Sequence, residues 1–234
     1  MPDDSLQAEP HYLIVNADDF GASRGINRGI VECHRHGIVT STSLMVTGRA
    51  LDDAVRLAAD NPELAIGLHW DVIGEDEREF DLRDHAAVES EFDRQLECFV
   101  AVMGRMPAHV DSHRHLHMQA ALMPLFEDLV ASLGLPLRGD GNVCFVGDFY
   151  AQPEWRVTDL DRIGVPYLLA LIDNEVGPGW TEIGCHPGYV DADFHSVYHA
   201  EREHEIASLK DPRIRRALHD RNIRLASYAD FRRD

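Results

Sequence analysis

Short apolar, β-prone runs alternate with helical patterns along most of the chain, and several of the runs end in aspartate or histidine. This alternation constrains the fold more than any other feature of the sequence. Tyr12 to Asn16 reads as a strand and is followed by a loop at Asp18, Asp19, Phe20 and Gly21. A helix then carries Ile26, Ile30 and His34 and closes at Gly37. Val39 to Val46 is the next strand, Ala50 to Ala59 a helix, Leu64 to His69 a strand and Ala86 to Met103 a long amphipathic helix. His109 to Ser112 reads as a strand and Leu122 to Leu133 as a helix ending at Gly134. Strands joined by helices of roughly 10 to 18 residues pair in parallel through right-handed crossovers. The expected fold class is therefore α/β, either an open doubly wound sheet or a (β/α) barrel, and both gather chemistry at the C-terminal ends of strands.

The second half is less regular. Gly139 to Pro153 reads as loops with one short strand, Thr181 to Cys185 as a strand and Tyr198 to Leu209 as a helix. Pro212 to Arg221 is a further helix and Ile223 to Ser227 a closing strand. At 234 residues the chain is long enough for one domain with a substantial core. Residues 1–10 are expected to form a flexible tail and residues 11–234 a single domain.

Three polar clusters fall where predicted strands end: Asp18 with Asp19, then His69, then Asp111, His113, His115 and His117. In a parallel α/β fold these ends meet on one face, so residues distant in sequence can surround one ion. A carboxylate with two or more imidazoles suits Zn, Fe, Mn, Co or Ni, whereas a carboxylate-rich set would favour Mg or Ca. His113, His115 and His117 share a parity and would face one side if the extended conformation continued through them, but it is not expected to continue throughout the segment. Asp111 is placed to hold an imidazole tautomer from behind. Asp18 and Asp19 could cap the following helix, but successive residues at a strand end point apart, so one can bind metal while the other accepts a proton.

A fourth cluster, EIGCHPGYV at 182–190, puts His186 after a predicted strand that Pro187 and Gly188 stop, making it a candidate general acid. A metal, a carboxylate base and an imidazole acid are the parts of amide hydrolysis; the same parts serve esters and phosphoesters. Trp70, Phe149, Tyr150, Trp155 and Tyr189 fall near the predicted rim and could stack on a sugar.

The formal charge of −19 repels phosphate-rich partners, so nucleic-acid binding is not expected. Cys33, Cys98, Cys144 and Cys185 are widely spaced and form no CxxC pair, so they are read as reduced thiols. The N-terminus lacks a basic start with an apolar run, and no apolar stretch approaches the length of a membrane span; the expected location is the cytoplasm.

NADDFG at 16–21, TST at 40–42, AIGLH at 65–69, HVDSHRHLHM at 109–118 and CHPGYVD at 185–191 resemble, in the same order, the YdjC-like carbohydrate deacetylases, chitooligosaccharide deacetylases among them. RGINRGI at 24–30 and RLASYADF at 224–231 look like that family's first helix and last strand, so the likeness runs from Tyr12 to Phe231. The resemblance implies a distorted or incomplete (β/α) barrel related to the polysaccharide deacetylases and an N-acetylated sugar as substrate. It implies one divalent metal, Mg or Zn, on Asp19, His69 and His113, with Asp18 as base and His186 as acid. Mn, Co and Ni stay open, since the ligand chemistry leans towards a transition metal. His115 and His117 would contact substrate or stand behind the ligands, and Arg138, in LRGDGN, would line the site. The chain is shorter than chitobiose-deacetylating members between His69 and Ala86 and between Gly141 and Thr181, which leaves another acetylated glycan or a lipid-linked sugar open as substrate. Members of the family often form homodimers. Two other readings compete: a metal-dependent phosphoesterase, against which no arginine or lysine cluster accompanies the metal motifs, and a catalytically silent sugar-binding protein on the same fold, against which Asp18 and His186 are both present.

Overall fold

The computed structural model describes residues 9–74, 77–191, 194 and 196–232, so the expected tail lies, up to residue 8, outside the described residues. The chain runs β1 (His11–Phe20), α1 (Arg24–His36), β2 (Ser41–Leu44), α2 (Leu51–Ala59), β3 (Ala65–Trp70), α3 (His85–Met103) and β4 (Val110–Ser112). A 3₁₀ turn (His113–Met118) leads to α4 (Met123–Leu133), β5 (Cys144–Val146), α5 (Val165–Glu175), β6 (Gly179–Cys185), α6 (Ala200–Leu209), α7 (Pro212–Asp220) and β7 (Ile223–Ala226).

All strand pairs are parallel, in the order β4-β3-β2-β1-β6-β5, with β7 added against β1. Among the described residues no ladder joins β4 to β5, so the expected barrel is an incomplete one. β6 takes one edge of β1 from His11 to Ala17. The other edge is shared: β7 pairs with His11 to Ile14 and β2 takes over from Asn16. Helix ends follow local chemistry. Ser23 Oγ accepts from Ile26 N at 3.1 Å to start α1, and Gly104 and Gly134, both at φ 67°, end α3 and α4 in the left-handed region that a side chain would oppose.

Alternation along β1 separates two environments. Leu13, Val15 and Ala17 join the main apolar core, whereas Ile14 joins a smaller cluster with Val143, Tyr228 and Phe231, and Asn16 and Asp18 enter a buried polar network. The sheet packs tightly at β3, where a Cβ on Gly67 would come within 2.2 Å of the His109 ring. That ring stacks on Tyr228 with centroids 3.9 Å apart.

One feature departs from the sequence expectations, and two others settle what the sequence left open. β1 does not stop at Asn16 but continues to Phe20, because Asp18 and Asp19 find buried partners and Phe20 pairs with Leu44 of β2. The HRHLH segment does not stay extended: Arg114 and His115 sit at φ 53° and 52°, and Ser112 Oγ accepts from His117 N at 3.0 Å to close the turn, so the three histidines do not share a face. α5, which the sequence reading leaves unassigned, buries Leu168, Leu171 and Ile172 at helical spacing. Among the described residues no helix is long and apolar enough to cross a membrane.

Candidate metal centre and active site

In a regular strand Asp18 and Asp19 would point to opposite faces, yet both line one cavity of about 310 Å³. The reason is local: the β1–β2 register slips between Ala17 and Phe20, and Asp19 adopts φ 68°. Asp19 Oδ1 then lies 3.2 Å from His113 Nδ1 and 3.4 Å from His69 Nε2, while its Oδ2 accepts from Arg202 Nη2 at 2.7 Å. Burial would raise the Asp19 pKa, but Arg202 and the two imidazoles hold it well below the usual carboxylate range.

His69 is oriented from behind. Its Nδ1 is 2.7 Å from Asp111 Oδ1, so that nitrogen carries the hydrogen and Nε2 is left facing Asp19. His69 Nε2 is buried and makes no hydrogen bond among the described residues. Burial would lower the His69 pKa; Asp111 reverses this and raises it well above the ordinary imidazole value. A buried imidazole nitrogen facing a carboxylate oxygen, with a second imidazole beside them, forms a mixed N/O donor set that fits a divalent transition ion.

Among the described residues two groups have ligand atoms close enough to hold one ion: Asp19, His69 and His113, and Asp18, His69 and Asp111. The second is crossed by Arg138, whose Nη2 lies 2.7 Å from Asp18 Oδ1 and 2.9 Å from Asp111 Oδ2, so a cation there would meet a guanidinium. The geometry favours the first.

Arg138 is fully buried and holds Asp18 with both terminal nitrogens, at 2.7 and 2.8 Å, and Glu182 Oε1 with Nε and Nη2. Tyr228 Oη donates to Glu182 Oε2 at 2.5 Å, and Asn16 Nδ2 donates to Asp18 Oδ1 at 2.9 Å. Burial would raise the Asp18 pKa, but the charge and hydrogen bonds of Arg138, together with His69, bring the value down to about 2. Asp18 is therefore an anion at neutral pH.

His186 follows β6 and lines the same cavity, with Nε2 3.9 Å from Asp18 Oδ2. Burial lowers its pKa to about 4. The two later histidines of the HRHLH segment part company. His115 lines the cavity, its ring centroid 5.2 Å from that of Phe145, and burial lowers its pKa to about 3. His117 lies outside the cavity lining: Nδ1 is 2.6 Å from Ser112 Oγ, and Nε2 donates to the Arg138 carbonyl at 3.0 Å, so its ring braces the turn against Arg138.

Of the aromatics expected at the rim, only Tyr150 and Trp155 line the cavity. Trp70 and Phe149 are fully buried; Trp70 packs edge-on against Phe80 and Phe126 instead of facing substrate. Tyr189 is spent on a hydrogen bond to Glu32. Sequence reasoning also missed Asn16, Ser43, Glu182, Tyr198, Arg202 and Glu205. A glutamate inside an apolar strand was the available signal for Glu182, since a buried charge needs a partner; Asn16 shares the parity of Asp18. Arg202 and Glu205 lie on an ordinary helical pattern, and only the fold brings them here. Arg138, expected to line the site, stands behind Asp18 and outside the cavity lining, whereas Arg202 and Arg114 line it. A larger concavity of about 720 Å³, between Pro62, Pro107 and the segment from Leu225, contains neither metal-compatible group.

The family profile described as YdjC-like protein matches residues 12–220. The chain is 35% identical to a carbohydrate deacetylase of Geobacillus stearothermophilus, over 95% of this chain and 98% of that protein. It is similar to a crystal structure of an Enterococcus faecalis protein of proposed cellobiose-phosphate cleavage activity, with a TM-score of 0.79, 26% identity and coverage of 94% of this chain and 98% of the other. A family 4 carbohydrate esterase from Streptomyces lividans, in complex with acetate, shares the fold, with a TM-score of 0.59 at 15% identity over 97% and 100% of the two chains.

Proposed function

The chain belongs to the YdjC-like family, and from that premise we propose that it is a carbohydrate deacetylase that hydrolyses the acetamide of an N-acetylated sugar and depends on a divalent metal. The observation that carries this reading is the convergence, on one cavity, of Asp19, His69 and His113 with Asp18 and His186.

Asp19, His69 and His113 would hold the ion. When bound, the ion supplies Lewis acidity, polarising the acetamide carbonyl and lowering the pKa of water. Asp18, ionised and fixed by Arg138, accepts the proton from the attacking water. His186 enters neutral at physiological pH, since its pKa is lowered to about 4; near Asp18, it is placed to take over a proton and deliver it to the departing amine. Tyr150 and Trp155 offer faces for the sugar ring, and His115 adds an imidazole edge to the same wall.

A phosphoesterase on these residues would want guanidinium groups turned to a phosphoryl group. Arg138 and Arg202 instead grip Asp18, Glu182 and Asp19.

The test is acetate release from N,N′-diacetylchitobiose by metal-stripped protein, before and after addition of Zn, Mg, Mn, Co or Ni, with Asp19→Ala as control. Metal-dependent release that is lost in the control is expected. Asp18→Asn should stop turnover while metal stays bound; loss of metal together with activity would overturn the division of roles between the two aspartates.

A further inference from the structure

Arg202 is buried, lines the active-site cavity and is bonded at three points. Nη2 donates to Asp19 Oδ2 at 2.7 Å, Nη1 to the His186 carbonyl at 3.3 Å and Nε to the Tyr198 carbonyl at 3.0 Å. The two oxygens of Asp19 therefore face different partners: Oδ1 faces the two imidazoles and Oδ2 faces the guanidinium. We propose that Arg202 is a positioning residue for the metal centre, holding Asp19 Oδ2 so that the carboxylate meets the cation through Oδ1 alone and tying that carboxylate to the main chain of His186.

This rests on the metal-dependent reading above and adds a role outside the ligand set. The physical argument turns on two opposed effects. A guanidinium beside a ligand repels a second cation, so on charge alone its removal would tighten metal binding. The hydrogen bond from Nη2, however, comes from a guanidinium itself tied to the Tyr198 and His186 carbonyls, and so restrains rotation of the Asp19 carboxylate; removing a group that orients a ligand weakens metal binding by about 10- to 100-fold. Asp19 has particular need of such a hold, because its backbone sits at φ 68°, in a region that a non-glycine residue seldom occupies.

The same guanidinium acts on both sides of the cavity. His186 is gripped through its carbonyl by Arg202 and through its N–H by Glu205 Oε2, at 2.5 Å, one helical turn further along α6. The helix that steadies the metal-ligating carboxylate thus also sets the position of the imidazole that faces Asp18.

The sign of the change in zinc affinity separates the two effects. Calorimetric titration of metal-stripped protein with zinc should show affinity weakened about 10- to 100-fold in Arg202→Met, with part of the loss recovered in Arg202→Lys, whose ammonium can still reach Oδ2. Unchanged or tighter binding in Arg202→Met would overturn the positioning role. A crystal structure of the zinc-loaded wild-type protein tests the same point without a substitution: Asp19 bound through one oxygen with Arg202 on the other supports the proposal, and a carboxylate ligating through both oxygens overturns it. A wild-type protein that takes up no zinc would defeat the metal reading itself, and this proposal with it.

Discussion

His69 Nδ1 lies 2.7 Å from Asp111 Oδ1, and this single contact decides which nitrogen of the imidazole faces the candidate metal site. Both side chains are buried, so no water competes for the contact. A carboxylate accepts and cannot donate, which settles the tautomer wherever the ring is neutral. In Asp111→Asn the amide can swivel and donate, and the preference is lost. Zinc affinity should fall about 10- to 100-fold, with a parallel loss of acetate release. Titration calorimetry checks this, and an Asp111→Asn protein that binds zinc like wild type would remove Asp111 from the metal centre.

Arg138 contacts all three of Asp18, Asp111 and Glu182. Replacing it with methionine preserves much of the volume but takes from the three buried carboxylates the guanidinium they share, leaving them neighbours such as His69, Tyr228 and Asn16. The expected loss is about 3 to 5 kcal/mol of folding stability, the usual cost of breaking a buried ion pair from one side. Urea unfolding of the metal-free protein measures it. A loss comparable to that of a surface arginine would mean that the network tolerates unpaired charge.

Glu205 gives the fold a pH dependence of defined sign. Burial raises its pKa from 4.5 to about 8, against the opposing hydrogen bonds from Tyr198 and the His186 N–H. The folded-state pKa lies above the unfolded one, so the protonated form is favoured on folding. Its contribution is fully present below the unfolded pKa and is lost as pH rises through about 8. The melting temperature of metal-free protein should fall between pH 5 and pH 9 more steeply than that of Glu205→Gln. Parallel curves for the two proteins would contradict the assignment.

Trp155 and Trp70 are predicted to behave oppositely. Trp155 is 58% exposed and lines the cavity, whereas Trp70 is fully enclosed by the core. Trp155→Ala should raise KM for the sugar and leave the melting temperature within experimental error of wild type. Trp70→Ala should cost about 3 to 5 kcal/mol of stability. Steady-state kinetics beside thermal melts of the two variants checks both statements together.

The parallel α/β class, the strand and helix order of the first half and the convergence of Asp18, Asp19, His69, Asp111, His113 and His186 were all legible in the sequence. The physical reason is that apolar periodicity reports burial along one element, and parallel topology then obliges strand ends to meet. Which histidines of HRHLH reach the cavity was not legible. Parity arguments hold only while the strand lasts, and the positive φ of Arg114 and His115 ends it. The aromatic rim was misjudged for Trp70 for a related reason: whether an aromatic at a strand end faces the helices or the cavity depends on the layer packed against it, here Phe80 and Phe126.

By itself, then, the sequence determined the fold class and the chemical kinds of residue brought to one face, because both follow from local pattern and connectivity. Tertiary structure alone decided how those residues are held. Arg138 reaches Asp18 across 120 positions and Arg202 reaches Asp19 across 183, and no periodicity within one element encodes a charge pair that exists only once separate strands and helices have closed around it.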